Sequence, residues 1–121
     1  MKRIKAIAAE LNISADTIRY YEKIGALPAI PRDKNGIRYF DQQTIQWIIF
    51  VKNLKDAGVA LSAIAEYVEL AEDGDNTIPD RKNILINQRA KTVAKIKSLQ
   101  KTLDVIDKKI ENYDLISRDL R

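Results

Sequence analysis

From Asp80 to the end of the chain no glycine or proline interrupts the sequence, and Ile96, Leu99, Leu103, Ile106, Ile110 and Tyr113 recur at intervals of 3, 4, 3, 4 and 3. That rhythm is the a/d seam of a coiled coil. Upstream, Ile86, Ala90 and Val93 continue the stripe with a slip of about one position, the drift of a straight helix against a seven-residue repeat. Roughly forty residues at about 1.5 Å per residue make a rod of about 60 Å. A rod of that length cannot bury its seam inside a 121-residue chain. The seam needs a partner, and the simplest partner is a second copy. An intramolecular helical hairpin is the alternative, but no breaker residue is present to fold the rod back.

The N-terminal part has a different grammar. Ile4, Ile7, Ala8 and Leu11 recur at helical spacing. After the break Asn12-Ile13-Ser14, Ser14 is placed to cap a second helix, with Asp16 in its first turn at the positive end of the helix dipole. On that helix Ile18 and Tyr21 share one face, while Thr17, Tyr20 and Lys23 share another that can look outward. Gly25 ends it, and Leu27-Pro28 leads into a hairpin whose turn is Asn35-Gly36, a pair that tolerates positive φ. Asp41 caps a third helix with apolar positions Ile45, Ile48, Ile49, Val51 and Leu54, closed by Gly58. Ser62 is expected to cap a fourth, with Ile64, Ala65, Val68 and Ala71 facing inward. The patch Glu72-Asp73-Gly74-Asp75-Asn76 is a loop by composition, and Pro79 marks the entry to the next helix.

Two short helices followed by a basic hairpin describe a winged helix-turn-helix. Such a fold reads base edges from the start of its second helix while neighbouring groups hold phosphates. Ser14, Asp16, Thr17, Arg19, Tyr20 and Lys23 supply that chemistry. Thr17 offers a hydroxyl and a methyl to a base, Arg19 and Lys23 suit phosphate or guanine, and Tyr20 can lie along sugar and donate its hydroxyl to phosphate. Glu22 has the spacing to pair simply with Arg19 on the helix surface, and Tyr21 reads as core rather than contact. In the wing, Arg32 and Arg38 flank the turn with guanidinium groups suited to bidentate phosphate contact. Asn35 and Tyr39 complete the wing's set.

At Thr17-Ile18-Arg19-Tyr20-Tyr21-Glu22-Lys23-Ile24-Gly25-Ala26-Leu27 and Arg32-Asp33-Lys34-Asn35-Gly36-Ile37-Arg38-Tyr39-Phe40, the chain resembles the MerR family of transcription regulators. The order and spacing match over about the first seventy residues. One departure is Ile37, which stands where the family usually has Tyr, with Tyr39 where an aliphatic is more usual. The resemblance implies a mainly α fold: a winged helix-turn-helix DNA-binding domain over 1–72, a linker loop over 73–79, and an antiparallel coiled-coil dimerisation helix over 80–121. It assigns Arg38 to a backbone contact. It further implies a homodimer that grips a pseudopalindromic promoter in double-stranded DNA and distorts it to control transcription, with RNA polymerase as a further partner. Distortion of that kind costs several kcal/mol, which protein contacts must offset.

Composition narrows the remaining choices. Residues 1–40 carry eight Lys/Arg against four Asp/Glu, residues 41–78 two against seven, and residues 79–121 eleven against six. A basic first third suits a phosphate backbone. The absence of Cys removes disulfides, thiolate nucleophiles and the thiol-based sensing that metal-responsive members of the family use. The absence of His removes the commonest metal ligand and general base. No metal, cofactor or catalytic residue is expected, and the carboxylates are dispersed, so an enzyme is disfavoured. Asp104, Asp107, Glu111 and Asp114 read as the solvated side of the rod. No run of about eighteen apolar residues exists to enter a membrane, and cytoplasm is the expected location. Either an unidentified small molecule lodges among Trp47, Phe50, Tyr67 and the facing coiled-coil residues, or no effector exists. The competing reading is an architectural or excisionase-like DNA-binding protein without effector response; the long seam argues against it.

Overall fold

A computed structural model describes residues 2–119, and the described residues form five α-helices and one short 3-10 turn. They run α1 (Ile4–Leu11), α2 (Ala15–Lys23), α3 (Gln42–Asp56), α4 (Leu61–Asp73) and α5 (Ile78–Asp119), with the 3-10 turn at Asp75–Thr77 just before α5. The chain divides into two compact units, Met1–Leu85 and Ile86–Arg121. The outermost ends of the expected domains, residue 1 and residues 120–121, lie outside the described residues.

The first unit closes around Ile7, Ile18, Tyr21, Ala26, Leu27, Ile30, Phe40, Ile48, Val51, Val59 and Ile64. Each large aliphatic buried there contributes about 1.5–3 kcal/mol. Local signals set the helix ends. At the end of α1, Asn12 takes the left-handed conformation (φ 54°) and the Ile13 N–H donates to the Ala8 carbonyl at 3.0 Å. At the end of α2, Gly25 does the same (φ 82°), with Ala26 N–H to Tyr21 at 2.9 Å and Gly25 N–H to Glu22 at 3.3 Å. Both are Schellman stops, which need a residue that tolerates positive φ. Ser14 and Asp41 cap α2 and α3, accepting from the Thr17 and Thr44 N–H groups at 3.0 and 2.8 Å.

Several expectations need correction. Ser62 does not cap α4: the helix begins at Leu61 after Ala60, with no side-chain cap. Burial of Val59 draws the chain inward before Ser62 is reached, and that burial outweighs a cap worth about 1 kcal/mol. Ile49 is 41% exposed, because the buried face of α3 runs through Ile48 and Val51. Residues 73–79 are not a loop. Thr77 is buried there, its hydroxyl shared between the Leu70 and Gly74 carbonyls at 2.6 and 2.7 Å, and α5 starts at Ile78. The wing carries no regular strands among the described residues; its pairing is the isolated bridges Arg32–Arg38 and Lys2–Phe40.

In the second unit, the six seam residues of α5 are all exposed, from 48% at Leu103 to 68% at Leu99. At about 100° per residue they fall within one stripe roughly 100° wide. No helix among the described residues is long and apolar enough to cross a membrane.

Candidate nucleic-acid interface

The second helix is two-faced. Ile18 and Tyr21 are buried, whereas Asp16, Arg19, Tyr20 and Lys23 are exposed and Thr17 is half-buried. Burial of Ile18 and Tyr21 holds the other face outward, with Tyr20 52% exposed. Ser14 and Thr17 are held by each other: the two hydroxyls sit 2.6 Å apart, beside the backbone cap. Asp16 and Arg19 pair at 2.9 Å on the outward face.

Glu22 does not take the simple alternative of a surface pair with Arg19, which pairs with Asp16 instead. Glu22 follows Ile18 by four residues and therefore lies toward the core side of the helix; its side chain is only 15% exposed. Its two oxygens divide their work: Oε1 accepts from Arg38 Nε at 2.9 Å, and Oε2 accepts from the Ile30 N–H at 2.6 Å. Arg32 Nη2 stands 4.0 Å from Oε1. Arg38 is thus not a freely projecting wing cation, as the sequence suggested, but is anchored through one edge of its guanidinium.

The wing turn also differs from expectation. Asn35 does not adopt positive φ; Gly36 alone carries that burden at φ 79°. The Gly36 N–H donates to the Asp33 carbonyl at 2.9 Å and the Asp33 N–H to the Ile37 carbonyl at 2.9 Å, a turn closed by a left-handed glycine. Asp33 organises it, its Oδ1 accepting from the Asn35 and Ile37 N–H groups at 2.9 and 3.0 Å and its Oδ2 from Arg3 at 2.9 Å. The Ile37 bond foremost, with those from Asn35 and Arg3, holds its carboxyl below the ordinary value of 3.8. Arg3 reaches further, donating to the Arg38 carbonyl at 3.0 Å. The wing is therefore held from α2 by Glu22 and from the start of α1 by Arg3.

Between these elements lies an open cleft of about 530 Å³, lined by Arg3, Ile4, Lys5, Arg19, Arg32, Gly36, Ile37 and Arg38. Arg19, Arg32 and Arg38 were singled out from sequence, and the fold brings them together. Arg3 and Lys5 were missed, since nothing local marks residues at the start of α1 as neighbours of a wing some thirty positions later. Asn35 and Lys23 are exposed and do not line the cleft, and Tyr39 is half-buried. Elsewhere in the first unit, Trp47, Phe50 and Tyr67 meet with ring centroids 5.6–6.2 Å apart and, with Gln43 and Gln46, line a shallow depression of about 300 Å³.

Known proteins share this arrangement. Residues 2–71 match the MerR HTH family regulatory protein profile, and residues 45–109 match the profile described as MerR, DNA binding. The transcriptional regulator AdhR of Bacillus subtilis (strain 168) is 39% identical over 90 residues, covering 74% of this chain and 64% of AdhR, a little under two thirds of that relative. An HTH-type regulator of Haemophilus influenzae is 35% identical over 106 residues, 88% of this chain and 78% of its own. A crystal structure of a MerR family transcriptional regulator from Listeria monocytogenes superposes with a TM-score of 0.90 at 38% identity, covering 94% of this chain and 86% of that one. That of HiNmlR, a MerR family regulator lacking the sensor domain and bound to promoter DNA, gives 0.86 at 33% identity, covering 93% and 89%. With a helix-turn-helix, a wing and a long final helix in the family's order, the chain belongs to the MerR family of helix-turn-helix regulatory proteins.

Proposed function

We propose that this chain is a homodimeric transcription regulator that binds a pseudopalindromic promoter and distorts the DNA between its two half-sites. The observation that carries the reading is the outward face of α2 standing beside a cleft lined by five cationic side chains. Thr17, Arg19, Tyr20 and Lys23 would enter the major groove, supported at the helix start by Ser14 and Asp16. Arg32 and Arg38, with Asn35 and Tyr39, would hold the backbone beside it. Arg3 and Lys5 extend that backbone contact. The promoter-bound state of HiNmlR supports the same use of the shared fold. Dimerisation rests on Ile96, Leu99, Leu103, Ile106, Ile110 and Tyr113, paired antiparallel, because six exposed apolar side chains on one stripe call for a second surface. A cytoplasmic location and contact with RNA polymerase belong to the same reading.

The aromatic trio of Trp47, Phe50 and Tyr67 favours an additional feature, response to an uncharged or aromatic small molecule seated there. Such a ligand would act only by binding two states of the dimer unequally.

Selection from a randomised duplex library tests the main reading. The purified protein is expected to enrich two inverted half-sites with a fixed separation. Enrichment of a single half-site, or of none, would reject it.

A further inference from the structure

The recognition helix and the wing touch DNA in this reading as separate elements, yet one carboxylate joins them. Glu22 sits in the last turn of α2, on the same rigid helix as Thr17, Arg19 and Tyr20. Its Oε2 takes the N–H of Ile30, in the segment that leads into the wing, and its Oε1 takes Nε–H of Arg38, on the wing's return side. We propose that Glu22 is a positioning residue that fixes the wing relative to the recognition helix and chooses which edge of Arg38 meets the DNA backbone. The inference rests on the DNA-binding reading above.

The chemistry of a guanidinium explains how. Arg38 has five N–H donors in a rigid plane. The Nε–H is given to Glu22, which leaves the Nη donors on the far side to take a phosphate oxygen pair. Arg38 is only 22% exposed, so its orientation is set by the protein before DNA arrives. A carboxylate beside a phosphate-binding group carries an electrostatic penalty. Its presence here is understandable if it supplies geometry rather than charge.

Only a carboxylate fits both partners. Each oxygen receives a donor, and neither donor can be turned into an acceptor. In Glu22→Gln one position becomes an NH₂ group, which must face either the Ile30 N–H or the Arg38 Nε–H, donor against donor. Shape is kept, charge is lost, and one bond is necessarily broken.

The test compares two duplexes: one enriched by the wild-type protein from a random library, and a shuffled duplex of the same composition. For Glu22→Gln, the ratio of affinities for selected over shuffled DNA is expected to fall about tenfold or more, as when a charge-assisted hydrogen bond is left unmade. Affinity for the shuffled duplex should hold or rise, since a negative charge has gone. Glu22→Asp keeps the charge but shortens the reach, and is expected to lower the same ratio. Combined with Arg38→Gln, the Glu22→Gln loss should add only in part, because the Glu22–Arg38 contact is common to both variants while the Ile30 bond is not. A role in stability alone would lower both affinities together and leave the ratio intact. A purely electrostatic role would raise both for Gln and leave Asp unaffected. Either pattern overturns the proposal, as does full additivity with Arg38→Gln. If the wild-type protein enriches no sequence, the DNA-binding reading fails first, a result distinct from any of these.

Discussion

Lys5 lines the basic cleft with no carboxylate partner among the described residues, whereas Arg3, Arg19 and Arg38 are each committed to one. A free cation in such a place acts on the backbone without regard to sequence. Lys5→Ala is expected to weaken selected and shuffled duplexes alike and to flatten the salt dependence by about one unit of log–log slope. An unchanged slope in a salt titration would remove Lys5 from the interface. Thr17 should behave in the opposite way. Its backbone N–H makes the cap, so Thr17→Ala leaves that bond to Ser14 in place and removes the side-chain hydroxyl, with its 2.6 Å contact to Ser14 Oγ, and the methyl. A direct contact predicts a change of preference at one half-site base, of about 1–3 kcal/mol. Equal affinity for all four bases at every position, relative to wild type, would return Thr17 to a role at the helix start.

For the elements, the final helix offers the sharpest test. Leu103 and Ile106 are 48% and 49% exposed in the single chain, so charges placed there remain solvated in a monomer. In a paired seam the same charges would be buried without partners, at a cost of several kcal/mol. Leu103→Asp with Ile106→Asp is therefore expected to give a folded monomer that has lost tight DNA binding. Sedimentation showing an intact dimer would overturn the assignment of the seam. Much of this layer was readable in advance. The unbroken run of α5 and the caps at Ser14 and Asp41 are local signals, helix formers without a breaker in the one case and side-chain cap hydrogen bonds in the other. The α4 start at Leu61 and the 3-10 turn at Asp75–Thr77 were not readable, because Val59 is placed by burial in the core and Thr77 by hydrogen bonds back to the Leu70 and Gly74 carbonyls, which no periodicity announces.

At the scale of the molecule, the lack of any Cys or His limits what a regulator of this family can sense. Soft metals are selected by thiolate and imidazole, and a site of carboxylates and amides discriminates poorly among divalent ions. DNA affinity of the purified protein is accordingly expected to be indifferent to mercuric or cuprous ions and to thiol-directed electrophiles. A sub-micromolar mercuric response, lost when carboxylates are replaced, would refute this. A response to a small molecule is expected instead to register in the fluorescence of Trp47, which stands against Phe50 and Tyr67 at the depression between α3 and α4.

What the chain determined unaided is whatever depends on near neighbours and periodicity. The helix-turn-helix spacing, the two faces of α2 through Ile18, Tyr21, Thr17 and Tyr20, and the apolar stripe of α5 all repeat within a few residues, where one turn of helix fixes the geometry. Pairings across long separations belong to the tertiary structure. Arg3 meets Asp33 and Arg38 because α1 packs on α2 and the wing returns beside both. Glu22 turned from the nearby Arg19 to the remote Arg38 because its place on the helix, four residues after Ile18, carries it inward to where only the wing and the Ile30 N–H can satisfy a half-buried carboxylate.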